Sequence, residues 1–348
     1  MAIGFGIVGT GSIARHQAAA MLELEDAAAV AVLSRDGARA GAFAEEFGTE
    51  PYTDLDAFLA DPNLDAVSVC TPSGAHLEFI EAAARAGKHV IAEKPIEISA
   101  ERCDRIVEIA ESTGVAVAGI FQSRYYDNAR VVKRAVEAGR FGRFTMGDAY
   151  VKFYRTQDYY DSGGWKGTIA LDGGGALMNQ GIHAVDLLLW LMGPVARVHA
   201  TTKTLGHERI EVEDTAVATL EFENGALGVI ESSTATYPGL LKRVEISGTH
   251  GTAVIEEESL RTWQFAEEDP EDDEIRHTYA SATTSGGGAS DPMAIDTTAH
   301  TRQLADFVDA VQNGRPPEVD VHEARRAVDL ILAVYESART GRSVELGG

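Results

Sequence analysis

Cysteine, lysine and unbroken apolar runs are all scarce in this chain, and each scarcity excludes something. The 348 residues include 2 cysteines, Cys70 and Cys103, both in segments that read as core strand or helix. They offer neither a disulfide framework nor a metal-ligand spacing. No run of about 18 apolar residues occurs, so no membrane-spanning helix is expected. The opening MAIGFGIVGTGS has no basic region ahead of a long apolar stretch. It reads as a strand start rather than a signal peptide, so a cytoplasmic protein is expected. Positive charge is short as well: 30 basic against 54 acidic residues leave a net charge of -24. That surface repels a phosphate backbone and excludes nucleic acid as a partner. Lysine is confined to Lys88, Lys94, Lys133, Lys152, Lys166, Lys203 and Lys242. An acidic, lysine-poor surface fits a salt-adapted cell and equally a merely acidic protein, and says nothing about the reaction.

What is present is a regular alternation. Apolar runs at 3–8, 28–33, 66–70, 89–92 and 115–121 are separated by segments with helical spacing at 13–24, 38–47, 75–86 and 100–112. Ser99 caps the last of these helices and Gly114 stops it. Continuous apolar strands separated by helices predict a parallel sheet covered on both faces.

The first strand runs into Gly9-Thr10-Gly11-Ser12-Ile13-Ala14. Strand, glycine turn and helix are the context a dinucleotide fingerprint requires. Gly9 permits the tight turn, Gly11 lets backbone approach a pyrophosphate, and Ala14 allows close helix–strand packing. The amides opening the helix, from Ser12 and Ile13 onward, then face the phosphates. After the second strand, where an acidic residue would hold the ribose hydroxyls of NAD, stand Ser34 and Arg35. Serine leaves room for a 2′-phosphate and arginine can pair with it, which favours NADP over NAD. The fourth apolar run ends in Glu93-Lys94-Pro95, which puts Lys94 at the carboxyl end of a core strand, where open α/β sheets bind ligands.

With the glycine fingerprint upstream, the segment CTPSGAHLEFIEAAARAGKHVIAEKPIEIS resembles the Gfo/Idh/MocA family of oxidoreductases. The matching pieces are Thr71-Pro72, His76, Gly87-Lys88-His89-Val90 and Glu93-Lys94-Pro95. The resemblance implies a Rossmann domain over residues 1–122 and an α+β domain over residues 123–348, whose large, mostly antiparallel open sheet takes part in a homodimer or homotetramer. It implies that Lys94 lies beside the nicotinamide and substrate, often ahead of a cis proline. It also assigns Thr71, Pro72, His76, Glu93 and Gln122 to the cofactor, and Arg124 to a position near the nicotinamide and substrate.

Beyond Phe121 the periodicity changes. A helix is expected over 128–138, then alternating strands at 145–153, 196–204, 215–222, 227–234, 243–247 and 253–257, with Asn224-Gly225 as a hairpin turn. Between them, LDGGGALMNQGIHAVDLLLWLMG predicts a helix over 176–192 that puts Asn179, His183 and Asp186 on one face. The family resemblance makes His183 the catalytic histidine. Asn179 stands where many members carry aspartate, so it orients the ring or holds a substrate hydroxyl without ionising. The loop FYRTQDYYDSGGWKGTIALD collects Tyr154, Arg155, Tyr159, Tyr160, Trp165 and Lys166. Aromatic faces stack on sugars and cations grip carboxylate or phosphate, so it reads as a substrate loop, with Tyr154, Arg155 and Trp165 as contacts. Residues 266–290 read as a mobile excursion. Helices over 298–312 and 322–340 are expected to pack back on the domain interface.

The expected activity is hydride transfer between NAD(P) and a secondary alcohol carbon of a sugar, sugar acid, nucleotide sugar or cyclitol. His183 takes the hydroxyl proton while Lys94 stabilises the alkoxide, or the two trade roles. No metal is expected. Two alternatives keep the fold: an NAD-dependent glycosidase-like reaction without net redox change, and a dinucleotide sensor without catalysis.

Overall fold

The N-terminal alternation folds, in chain order, as β1 (Ile3–Val8), α1 (Ser12–Leu22), β2 (Ala27–Leu33), α2 (Gly37–Phe47), β3 (Glu50–Tyr52), α3 (Leu55–Leu59), β4 (Ala66–Val69), α4 (His76–Arg85), β5 (His89–Ala92), α5 (Ala100–Thr113) and β6 (Val117–Gly119). The structure is a computed structural model and describes residues 2–280 and 297–347. The six strands pair in parallel in the order β3-β2-β1-β4-β5-β6. The order reverses beside β1, so the ends of β1 and β4 open the crevice where such sheets bind ligands. Short β3 and α3, with no clear apolar period of their own, are additions to the expected pattern. Ser99 accepts from the Arg102 amide at 3.3 Å, and Gly114, at φ 71°, ends α5 in the left-handed conformation that glycine tolerates best.

The chain continues as α6 (Asp127–Glu137), β7 (Phe144–Lys152), α7 (Gln157–Asp161), α8 (Ile182–Met192), β8 (Val195–Lys203), β9 (Thr215–Phe222), β10 (Leu227–Ser233), β11 (Arg243–Gly248), β12 (Gly251–Glu256), β13 (Ser259–Phe265) and α9 (Asp272–Tyr279). After the undescribed stretch come α10 (Thr298–Asn313), α11 (Val321–Thr340) and β14 (Val344–Glu345). An eight-stranded sheet runs in the order β13-β12-β11-β7-β10-β9-β8-β14. Its pairs are antiparallel except β7 with β10. The apolar α8 covers one face: a Cβ on Gly147 of β7 would meet the Met192 side chain at 2.8 Å, so glycine there lets the helix lie close. The other face is mixed. It exposes Met146, Val217 and Leu227 among the ion pairs Lys152–Glu231 and Arg197–Glu221.

Two compact units result, residues 2–122 with 297–328, and residues 123–280 with 329–347. The segment 297–328, read from the sequence with the second domain, is thus compact with the first. The reason is the apolar face of α10: Leu304, Phe307 and Val308 complete one buried cluster with Phe5, Ala14, Ala18 and Met21. Gln303 adds polar bonds, donating to the Gly119 carbonyl at 2.8 Å and accepting from the Phe121 amide at 3.0 Å.

Of the expected excursion over 266–290, residues 281–290 lie outside the described residues. Residues 272–279 form α9 instead. Asp272, fully buried, accepts from both Arg140 Nη groups at 2.8 and 2.7 Å, from Trp263 Nε1 at 2.7 Å and from the Asp269 amide at 2.7 Å. These donors hold its carboxyl well below the usual carboxylate range, Arg140 first. In an acid-dense stretch that one buried carboxylate is indistinguishable by composition from its solvated neighbours. Among the described residues no helix is long and apolar enough to cross a membrane.

Candidate active site

In the first unit, β1 is stitched to both neighbours where it ends: the Gly9 amide donates to Leu33 O and the Cys70 amide to Val8 O, both at 2.9 Å. Gly9 has φ 112°, and a Cβ there would meet Cys70 O at 2.8 Å, so the turn requires glycine twice over. Gly11 is the residue capping α1. It is exposed, offers no side-chain cap, and a Cβ on it would meet nothing within 4 Å. Ala14 is fully buried, while Thr10, Ser12 and Ile13 stay partly or fully exposed around the helix start.

At the end of β2, Ser34 Oγ accepts from the Asp36 amide at 3.2 Å and Arg35 is exposed. Asp36, the nearest acid, caps α2 by accepting from the amides of Ala38 at 2.9 Å and Arg39 at 3.2 Å.

His76, which the family resemblance assigns to the cofactor, lies inside the first unit. Its ring is fully buried, with Nδ1 3.0 Å from Pro95 O and Nε2 3.0 Å from Thr71 O. The imidazole therefore ties the loop after β4, with Thr71 and Pro72, to the loop after β5. Burial pushes its pKa down. Glu93 is also buried, accepting from Gln17 Nε2 at 2.5 Å and from the Lys94 amide at 3.3 Å. Burial raises its carboxyl pKa, against the opposing charge of Lys94. Lys94 is half-buried and the Lys94–Pro95 bond is cis. Gln122, at the end of the unit, is buried, and its Oε1 has no hydrogen-bond partner among the described residues.

In the second unit a carboxylate builds the scaffold. Glu213 accepts from the amides of Gly175 at 3.0 Å and Leu177 at 2.8 Å, and from the Tyr335 hydroxyl at 3.0 Å. A Cβ on Gly175 would lie 1.8 Å from Glu213 O, so only glycine lets the chain pass. The single helix expected over 176–192 divides here: Ala176–Gly181 is a π turn and α8 begins at Ile182. Asn179 therefore belongs to the wider turn, of a kind that recurs at functional sites. Its amide donates to Asp172, and its Oδ1 accepts from Gln180 Nε2 at 2.8 Å. His183 is half-buried in the first turn of α8. His183 and Asp186 keep their three-residue spacing within α8, while Asn179 precedes the helix in the π turn. Asp186 is buried and takes two bonds from Arg124, which is itself buried.

The loop before the glycine run packs onto this turn. Arg155 is buried, donating to Tyr154 O at 3.0 Å and Gln180 Oε1 at 2.8 Å, and Gln180 Nε2 donates to the Tyr159 hydroxyl at 3.1 Å. Arg155 thus positions Gln180. Burial pushes the Tyr159 hydroxyl up to about 12. Tyr154 stacks edge-on against Tyr237, and Trp165 is half-buried with its carbonyl accepting from Thr168 Oγ1 at 2.6 Å. Glu213, Asp172 and Gln180 were not singled out in the sequence; only the glycine run between Asp172 and Ala176 hinted at a crowded turn.

A glycine-cradled helix start on a parallel sheet is the arrangement of a dinucleotide-binding unit. Residues 3–121 match the oxidoreductase family with the NAD-binding Rossmann fold, and residues 129–254 match the GFO/IDH/MocA C-terminal domain. The chain is 31% identical to D-xylose 1-dehydrogenase (NADP(+)) 2 of Haloferax volcanii, over 98% of this chain and 99% of that one. It is 29% identical to myo-inositol 2-dehydrogenase of Thermotoga maritima, over 98% of each. The crystal structure of the WlbA dehydrogenase from Bordetella pertussis, in complex with NADH and UDP-GlcNAcA, superposes with a TM-score of 0.91 at 35% identity, covering 100% of this chain and 98% of that one. The chain belongs to the GFO/IDH/MocA family of NAD(P)-dependent oxidoreductases.

Proposed function

We propose that the first unit binds the dinucleotide and the second the substrate, and that the enzyme oxidises or reduces a secondary alcohol carbon of a sugar, sugar acid, nucleotide sugar or cyclitol. The observation that carries this reading is the start of α1. A helix start without a side-chain cap, opened by the exposed residues Gly11 and Ser12, with open space where the glycine lacks a Cβ, fits a pyrophosphate. The unpartnered Gln122 Oε1 is suited to an amide donor of a ligand. When bound, the nicotinamide supplies the hydride acceptor or donor.

His183 takes the hydroxyl proton in the oxidative direction, and Lys94 donates to the same oxygen and stabilises it as alkoxide. Coupled neighbours can exchange those roles. Asn179 is held by Asp172 and Gln180 and orients a ring or a hydroxyl without ionising. Ser34 and the exposed Arg35, with Asp36 occupied in capping α2, favour NADP. The NADP(+)-named relative supports that preference. Likeness to WlbA supports a nucleotide sugar acid within the substrate class. The open face of the second sheet, with Met146, Val217 and Leu227, is the proposed homodimer or homotetramer contact, and light scattering on the Val217→Lys protein tests it.

The deciding experiment is a fluorescence titration with NADH and NADPH, followed by a sugar and cyclitol panel on the preferred cofactor at low and high salt. Selective loss of NADPH affinity in Arg35→Ala, and loss of turnover in Lys94→Ala and His183→Ala with cofactor affinity kept, are expected. Cleavage of a glycoside without net cofactor change transfers the reading to the glycosidase-like alternative. Binding without any turnover transfers it to the sensor.

A further inference from the structure

Lys166 differs from the other lysines of the second unit that are at least half-buried. Lys133, Lys152 and Lys242 each have a carboxylate oxygen nearby, from Glu137 at 3.8 Å, Glu231 at 2.6 Å and Glu257 at 3.3 Å. Lys166 has no carboxylate within 4.0 Å among the described residues, in a chain with 54 acidic residues. Its ammonium lies 4.0 Å from the centroid of the Tyr159 ring instead. Its stem crosses Gly163, where a Cβ would come within 3.1 Å of the methylenes, so the glycine lets the side chain lie down on the loop.

The ring under it is held by a chain of hydrogen bonds. The Tyr159 hydroxyl accepts from Gln180, which Arg155 and Asn179 hold in turn, so the cation is tied to the π turn that leads into His183. Lys166, Tyr159, Asn179 and Gln180 all remain partly exposed. Burial pushes the Lys166 pKa down, and Arg155 adds to that while Asp172 opposes it. A partly desolvated ammonium resting on a ring face gains more from an anionic oxygen than a solvated one does.

We propose that Lys166 binds an anionic group of the substrate, a carboxylate or phosphate oxygen, and so selects acidic sugars or sugar nucleotides over neutral sugars. Only the identity of the ligand as substrate rests on the dehydrogenase reading; the anion site itself does not.

Calorimetric titration of the full chain with D-glucuronate, D-glucose and UDP-glucose tests this without turnover. The wild-type protein is expected to bind an acidic ligand about tenfold more tightly than D-glucose, and Lys166→Gln to remove most of that preference while leaving D-glucose within about twofold. A loss confined to D-glucuronate assigns a carboxylate; one confined to UDP-glucose assigns the diphosphate. Lys166→Arg is expected to keep part of the preference. With no variant at all, wild-type affinity for the acidic ligand should fall with added salt and that for D-glucose should not. The proposal is overturned if no acidic ligand is preferred, if its affinity ignores salt, or if Lys166→Gln weakens D-glucose equally. Failure of every sugar to turn over, with the anion preference intact, would sink the dehydrogenase reading alone.

Discussion

Arg124 and Asp186 form a two-pronged ion pair, Nη2 to Oδ1 at 2.6 Å and Nε to Oδ2 at 2.9 Å, with both side chains 1 % exposed. Removing one partner strands a buried charge, whereas removing both does not. Asp186→Asn is therefore expected to lower stability by about 3–5 kcal/mol in urea denaturation. The double variant Arg124→Met, Asp186→Leu should recover most of it. A single variant as stable as the double would mean that the pair is not what holds α8 in place.

The two fingerprint glycines should separate fold from binding. Gly9→Ala meets both a positive φ and a carbonyl at 2.8 Å, so it is expected to destabilise by about 1–3 kcal/mol. Gly11→Ala, at φ -73° and with open space around the added methyl, should melt like the wild type. Its dinucleotide affinity should nevertheless fall about tenfold, because the methyl occupies the pyrophosphate's approach. Equal melting and equal affinity for both variants would contradict the assignment.

Stability should depend on pH through His300. It is buried against His16, ring centroids 4.5 Å apart, and burial with His16 holds its pKa down to about 3 from the ordinary 6.5. Between those values the unfolded chain takes a proton that the folded chain refuses, so this contribution is full above pH 6.5 and is lost as pH falls toward 3. From pH 6.5 to 5 the loss is about 2 kcal/mol. His300→Gln should flatten the slope by that amount, read from denaturation at both pH values; an unchanged slope excludes His300 as its source.

Glu213 anchors the turn that carries Asn179. Glu213→Ala leaves the Gly175 and Leu177 amides without their acceptor, expected to destabilise by about 1–3 kcal/mol. Turnover should drop, since the turn leads directly into His183. Dinucleotide affinity should stay within about threefold, because the cradle belongs to the other unit. A parallel loss of cofactor affinity would show that Glu213 supports the whole molecule rather than this turn.

Much of the fold was legible because it is written in neighbours. The strand–glycine–helix start, the Ser99 cap, the Gly114 stop and the Asn224-Gly225 turn depend on residues a few positions apart. Strand β13 was missed, although Trp263 and Phe265 face inward along it, because the acidic residues that follow hid its alternation. The π turn was missed because its apolar spacing passes for the opening of α8.

What the chain determines by itself is therefore local: where backbone must turn, where it can be helix or strand, and which residue types stand at the ends of strands. Only the tertiary structure decides what each polar group meets. Arg124 finds Asp186 62 positions away, the His76 ring meets the Pro95 carbonyl 19 positions on, and α10 returns to complete the core of the first sheet. A buried charge takes whichever partner packing brings within hydrogen-bond distance, and sequence separation carries no information about that distance.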